Sequence, residues 1–362
     1  MPRATVAVVD LNALRFNFRR AAALASPAES MAVVKADGYG HGLEAVAGAL
    51  ADLTSRYAVA CLEEAERLRK TGLMHPVVLL QGVHDKADWP RCAEAGFEVV
   101  VHESGQLEDL FASASGSQVL WIKVNTGMNR LGFMPDDIAG IIERVRRRPN
   151  IRLRGLVTHL ACADDPGHPM NAHQIGLMAA LQNAFPGLEI SVANSAAHYR
   201  DGDAAFHWTR PGIMLYGGTP LLGKTGQDLG LQPVMTLQSQ LIAVRELDKG
   251  DKVGYGAAWQ ASEPCRMGIV AIGYGDGYPR HAPAGTPVWV RGRRVPLIGR
   301  VSMDMIAVEL TDVPSAQPGD MVELWGGHVS VDEVARLAGT ISYELLAGLT
   351  PRVPRRYLAA AS

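Results

Sequence analysis

Six polar residues fall at or beyond the ends of apolar runs, where they could do chemistry. Lys35 follows Met31-Ala32-Val33-Val34. A lysine whose stem leaves an apolar interior is desolvated, which disfavours its ammonium form and lowers its pKa. Such an amine suits Schiff-base chemistry with a carbonyl. A salt-bridged lysine at a strand end is the competing reading, and the next residues bear on it. Gly38, Gly40 and Gly42 let a ligand approach the backbone closely, and Tyr39 offers a hydroxyl to a phosphate. Lys123 lies near the end of a second apolar run, and Arg130 follows on the loop Thr126-Gly127-Met128-Asn129-Arg130-Leu131-Gly132. His159, Ser195 and Arg210 mark three further runs. Ser195 reads as a helix N-cap or a phosphate ligand, and the two are compatible because helix N-termini bind anions. Arg210-Pro211-Gly212-Ile213 brings small-residue backbone to the same phosphate region. His159 reads as a core histidine or a metal ligand. With no HExxH and no carboxylate at ligand spacing, no metal is expected. Tyr255, in Val253-Gly254-Tyr255-Gly256, reads on its own as a turn tyrosine.

The elements that must position these residues come in two textures. Up to about residue 230, β-branched runs alternate with helical patterns. The runs are Met31–Lys35, Tyr57–Leu62, Val77–Gln81, Phe97–His102, Val119–Val124, Leu153–His159, Glu189–Ala193 and Thr209–Tyr216. Helices are clearest over Glu63–Lys70, Ser104–Ala112, Pro135–Arg147 and Ala172–Phe185. Eight βα units imply an α/β chain with an N-terminal (β/α)8 TIM-type barrel, whose chemistry sits at the C-terminal ends of the strands. An open doubly wound sheet is disfavoured because no GxGxxG follows the first run. From Met235 onward the pattern changes to short strands and turns: Met235–Val244, Met267–Ile272, Pro287–Val290, Met305–Leu310 and Met321–Leu324, with short helices near Val331–Ala338 and Tyr343–Leu349. This predicts a mostly antiparallel β domain over 231–362 after a barrel over 1–230. Met1–Asp10 alternates like a strand and is a candidate to pair into the β domain.

Composition excludes other classes. The formal net charge of -2 carries no clustered basic face, so nucleic acid is not an expected partner. The arginines between Arg144 and Arg154 read as a solvated helix end. Cys61, Cys92, Cys162 and Cys265 form no CxxC pair and read as reduced thiols. No apolar run approaches the roughly 18 residues of a membrane span, and the N-terminus lacks the apolar core of a signal peptide. A cytoplasmic location is the expectation.

Taken together, the motifs resemble those of the alanine racemases. Val33-Val34-Lys35-Ala36-Asp37-Gly38-Tyr39-Gly40-His41-Gly42 is similar to the family's cofactor-lysine motif. The likeness continues in order through Lys123–Gly132, Thr158-His159, Asn194-Ser195-Ala196-Ala197, Arg210–Ile213 and Val253–Gly256. It ends with Val301-Ser302-Met303-Asp304-Met305 and Arg352-Val353-Pro354-Arg355-Arg356-Tyr357. Gly38 stands where alanine is expected, Asp37 where asparagine is common, and Ser302 where some members carry cysteine.

The resemblance implies a pyridoxal 5'-phosphate (PLP) enzyme that interconverts L- and D-alanine by exchange of the Cα proton between two bases. It implies Lys35 as the lysine carrying the cofactor and as one base, with Tyr255 as the other. Tyr39, Ser195, Gly212, Ile213 and Tyr357 would bind the phosphate, and Arg210 would face the pyridine nitrogen. His159 would join Arg210 in a supporting hydrogen-bond network. Arg130 and the Met303 backbone N–H would bind the substrate carboxylate. Lys123 matches a position that is carbamylated in some members. A head-to-tail homodimer with composite sites is also implied, as is supply of D-alanine as a peptidoglycan precursor or its breakdown. Alternatives are a racemase for another amino acid, a PLP-binding protein without catalysis and a decarboxylase of the same fold type.

Overall fold

The computed structural model describes residues 4–113, 116–200 and 202–358. Residues 1–3 of the expected N-terminal strand therefore lie outside the described residues.

The barrel starts with a strand in two pieces, Glu29–Ser30 and Ala32–Val33. The others are Tyr57–Val59, Val77–Leu79, Glu98–Val101, Gln118–Lys123, Ile151–Val157, Glu189–Asn194 and Trp208–Arg210. Each pairs in parallel with the next. The last strand returns to the first, Trp208 beside Glu29 and Thr209 beside Ser30, so the sheet closes. These strands are short and apolar because both faces are covered: side chains fill the interior and helices pack outside. Helix Leu11–Ala25 shows the logic. The Asp10 carboxylate caps it by accepting from the N–H groups of Asn12 and Ala13 at 2.8 and 3.2 Å. Leu14, Phe18 and Ala21, at a helical period, form its buried face.

The eighth run departs from expectation. It was expected as strand through Tyr216, but the strand stops at Arg210 and Ile213–Tyr216 is a 3-10 turn. Pro211 has no N–H to continue a ladder, and Gly212 turns the chain with φ -120° and ψ -96°.

The second unit is built on the long strand Met235–Leu247. Its first half pairs with Met321–Trp325 and its second with Cys265–Val270. Pro287–Val290, Arg293–Ile298 and Ile306–Glu309 complete a closed antiparallel ring. Val6–Asp10 joins its outer side, antiparallel to Met235–Gln238 and parallel to Arg355–Leu358. One apolar core runs through both units, from Leu14 and Val99 in the barrel to Val288 and Trp325 beyond it.

Candidate active site

The C-terminal mouth of the barrel holds a cavity of about 460 Å³. Lys35, Tyr39, Lys123, Arg130, His159, Ser195, Arg210, Gly212 and Ile213 all line it. Residues from five separate strand ends thus meet in one space, although they are scattered over some half of the chain. Among the described residues, no Asp or Glu lines this cavity. Four cationic side chains therefore face it without a carboxylate among them.

Lys35 leads into a strained turn. Ala36, Asp37, Gly38, Tyr39 and Gly40 all have φ between 51° and 78°, a left-handed turn in which only two residues are glycine. A left-handed helical residue other than glycine costs roughly 1–2 kcal/mol, so the surroundings must impose this conformation. Gly38 N–H donates to Val34 at 2.9 Å, Gly40 N–H to Ala36 at 2.9 Å, and Gly42 N–H to Asp37 at 2.8 Å. Asp37 accepts from Arg67 at 2.7 Å, and His41 Nδ1 lies 2.8 Å from the Tyr39 carbonyl. The second unit clamps the turn from outside. Arg355 donates to the Gly40 carbonyl at 3.0 Å, and the Leu346 carbonyl occupies the place a Cβ on Gly40 would need.

The other groups are equally fixed. The Ser195 hydroxyl accepts from the Gly212 N–H at 2.8 Å, and the Tyr39 hydroxyl stands where a Cβ on Gly212 would be. This makes a small polar cradle at the ends of strands seven and eight, where such barrels bind phosphate. Arg210 is buried and donates to Ser191 Oγ, to the Thr158 carbonyl and to the Val192 carbonyl at 2.5, 2.5 and 3.2 Å. Burial pulls its pKa down to about 10, so it stays charged near neutrality. The Arg130 loop is pinned by Asn125, whose side-chain oxygen accepts from Gly127 and Asn129 at 3.2 and 3.0 Å. Gln174 donates to the His159 carbonyl at 3.0 Å and to Thr126 at 2.9 Å, fixing the loop after strand six.

The electrostatics follow from burial and crowding. Burial, with Arg130 and Arg210 adding to it, lowers the pKa of Lys35. Lys123 is brought to about 8 by burial and by Arg210, Arg130 and Lys35. The same causes hold His159 well below its usual range, so its ring is neutral. Among the described residues, no three His, Cys, Asp or Glu side chains gather as a metal site.

Comparison with known proteins points to one family. Residues 9–220 match the family model "Alanine racemase, N-terminal domain", and residues 234–357 match "Alanine racemase, C-terminal domain". The chain belongs to the alanine racemase family. It is 57% identical to an alanine racemase from Marinobacter nauticus over 356 residues, 98% of this chain and 99% of that one. The crystal structure of the biosynthetic alanine racemase from Pseudomonas aeruginosa superposes with a TM-score of 0.96 at 46% identity, covering 99% of this chain and all of that one. An alanine racemase from Bartonella henselae, described with covalently bound pyridoxal phosphate, matches at 31% identity with a TM-score of 0.89 and covers 99% of this chain and all of that one. The barrel-plus-β architecture expected from the pattern of runs and turns is the one observed.

Three expected site residues do not line the cavity within one chain. Tyr255 is 68% exposed on a 3-10 turn and Met303 is 53% exposed, both in the second unit. Tyr357, expected at the phosphate, does not line the cavity either. Tyr357 sits in strand Arg355–Leu358, and its hydroxyl packs against Gly42 on the outer side of the turn. Tyr343 lines the cavity instead, with its ring 6.1 Å from that of Tyr39. Its sequence signal was weak, because it belongs to a short helix, Ser342–Ala347, that reaches the barrel mouth from the second unit.

Proposed function

We propose that this protein interconverts L- and D-alanine using PLP held by Lys35. The observation that carries this reading is the cavity where Lys35, Lys123, Arg130 and Arg210 converge with no carboxylate among them. Such a site suits a ligand bearing a phosphate and a second anionic group. When bound, pyridoxal phosphate supplies an electron sink that makes the Cα proton of an attached amino acid acidic.

The chain's own residues then have distinct tasks. Tyr39, Ser195, Gly212 and Ile213 form the phosphate cradle, and Tyr343 takes the place expected of Tyr357. Burial lowers the pKa of Lys35, which favours the neutral amine, the form able to take a proton. Arg210, held by three acceptors, donates and never accepts. Arg210 would hold the cofactor's ring nitrogen by a hydrogen bond without yielding its proton, which would limit electron withdrawal and favour return of a proton to Cα. The neutral His159 ring joins Arg210 in supporting the second base. Arg130 meets the substrate carboxylate, aided by the Met303 backbone N–H of a second copy. Lys123 brings a cation beside Arg130, and carbamylation would convert it to an anion that orients that arginine.

Racemisation needs a base on each face of Cα. Lys35 serves one face, and the exposed Tyr255 of a second copy serves the other. We therefore assign the protein as a head-to-tail homodimer, with the barrel of residues 1–230 meeting the β domain of residues 231–362 of its partner. Among the described residues no helix is long and apolar enough to cross a membrane. We place the protein in the cytoplasm, acting on free alanine to supply a peptidoglycan precursor or to degrade D-alanine.

The test incubates PLP-loaded protein with L-alanine in heavy water and reads D-alanine and Cα deuterium together. D-alanine carrying deuterium is expected. Exchange with another amino acid but not with alanine would move the substrate assignment, and CO2 release would replace racemisation with decarboxylation.

A further inference from the structure

Glu64 lies outside the cavity and in no motif considered above, yet it is tied to the residue after the cofactor lysine. It belongs to helix Leu62–Lys70, which follows the second barrel strand. Its two carboxylate oxygens are divided between two strand ends. Oε1 accepts the Ala36 N–H at 2.6 Å, and Oε2 accepts the Ala60 N–H at 2.8 Å. Ala36 is the first residue of the left-handed turn and has φ 53°. No helical turn precedes Ala36, so its N–H has no ladder partner of its own, and Glu64 supplies one.

We propose that Glu64 is the positioning residue of the cofactor lysine, a carboxylate bridge that fixes the start of the left-handed turn and so aims the Lys35 amine into the cavity. This rests on the reading above that Lys35 carries PLP. The bridge works by geometry and by charge. It joins the ends of strands one and two where the strained backbone begins, so that strain is not released by unwinding at Ala36. It is also the carboxylate that acts on Lys35. Arg130 and Arg210 push the Lys35 amine toward its neutral form, Lys123 and His159 share the cavity wall, and Glu64 opposes that push. Arg67 cannot substitute for this bridge, because a guanidinium only donates; its fork binds Asp37 and Glu44 instead.

Two variants separate the contributions. Glu64→Gln keeps one acceptor oxygen but turns an N–H toward the other backbone N–H and removes the charge. Glu64→Ala removes everything. Apoprotein of each is loaded with pyridoxal phosphate across a pH series, followed by absorbance and by borohydride trapping at Lys35 with mass spectrometry. Attachment requires the neutral Lys35 amine, which forms a C=N bond to the cofactor aldehyde and releases one water.

Loss of a charged hydrogen-bond acceptor predicts about tenfold weaker cofactor binding in both variants. The pH midpoint of attachment moves lower, because the amine loses its opposing anion. Amide hydrogen exchange over residues 34–43 should rise in both. A purely structural role would lower the melting temperature of the apoprotein and leave the pH midpoint in place. If the wild type loads while both variants load with unchanged affinity and midpoint, Glu64 has no positioning role. If the wild type itself traps no cofactor at Lys35, the PLP reading fails first and this assignment with it.

Discussion

The two ends of the barrel treat charge in opposite ways. At the N-terminal end, cations are paired. Arg56 and Glu98, both nearly fully buried, meet at 3.1 Å, and Glu98 also accepts from the Trp121 indole at 2.7 Å. The Arg56 guanidinium lies 4.1 Å over the Trp208 ring. The Trp208 indole donates to Glu189 at 2.6 Å, and Glu189 pairs with Arg154 at 2.8 Å. At the C-terminal end, Lys35, Lys123, Arg130 and Arg210 share one cavity with no carboxylate among the described residues that line it. The same strands thus carry charges paired with one another at one end and uncompensated cations at the other. The difference teaches where the ligand's charge must enter. The charges of the paired end are balanced within the chain, and those of the unpaired end call for an anion.

The comparison predicts that function and stability come apart by end. The largest effect is expected from Lys35→Ala, with the racemisation rate falling by about 10³-fold or more. The apoprotein should melt no lower than wild type, since an unpaired, partly desolvated cation has been removed. A clear drop in its melting temperature would break the contrast. Glu98→Ala should do the reverse. It strands the Arg56 charge in the interior, at a cost of about 3–5 kcal/mol. Denaturant unfolding reads that cost, while kcat/KM stays within about twofold of wild type. Arg210→Glu, at the unpaired end, should slow racemisation by about 10²-fold and raise pyruvate formation relative to it. Unchanged pyruvate would refute the role given to Arg210.

Much of this was legible in the sequence, for a physical reason. Barrel strands are buried on both faces, so Val77–Leu79 and Glu98–Val101 stood out as β-branched runs. Polar residues terminating such runs had one place to go, the mouth, and Lys35, Lys123, His159 and Arg210 are found there. The rest required long-range information. Arg293–Ile298 escaped notice because two arginines open it and Pro296 interrupts it, yet it pairs along Pro287–Val290 through a turn at Arg291 and Gly292, with φ 46° and 85°. Tyr343 and Tyr357 could not be ranked, because a spacing along the chain does not say which tyrosine of the second unit leans over the barrel. The roles of Glu64 and Gln174 depend on backbone N–H and carbonyl groups left open by turns, and a sequence does not display those.

A smaller effect sharpens the comparison at the unpaired end. His198 is buried there, bonded to the Asn194 carbonyl at 2.8 Å and to the Thr209 hydroxyl at 3.1 Å. Burial pulls its pKa down to about 4, so the ring folds neutral. An unfolded histidine near 6.5 takes up a proton first as pH falls. Its contribution is therefore full above about pH 6.5 and is lost progressively toward pH 4, at up to about 1.4 kcal/mol per pH unit. His198→Asn should flatten the acid limb of a stability–pH curve by about that slope. A limb of unchanged slope would mean that other groups drive acid unfolding.

The strand Val6–Asp10 lies between Met235–Gln238 and Arg355–Leu358. Chains emerge from the ribosome N-terminus first. This segment therefore leaves the exit tunnel long before either neighbour exists, and the barrel is synthesised while its leading edge waits without a partner. Among the described residues, the strand latest in the chain, Arg355–Leu358, lies beside the earliest, Val6–Asp10. Its Arg355 then reaches the carbonyl of Gly40 on the lysine-bearing turn. The lysine-bearing turn thus gains this support only after the whole barrel has been synthesised, and a nascent chain stopped before Arg355 lacks the Arg355–Gly40 contact.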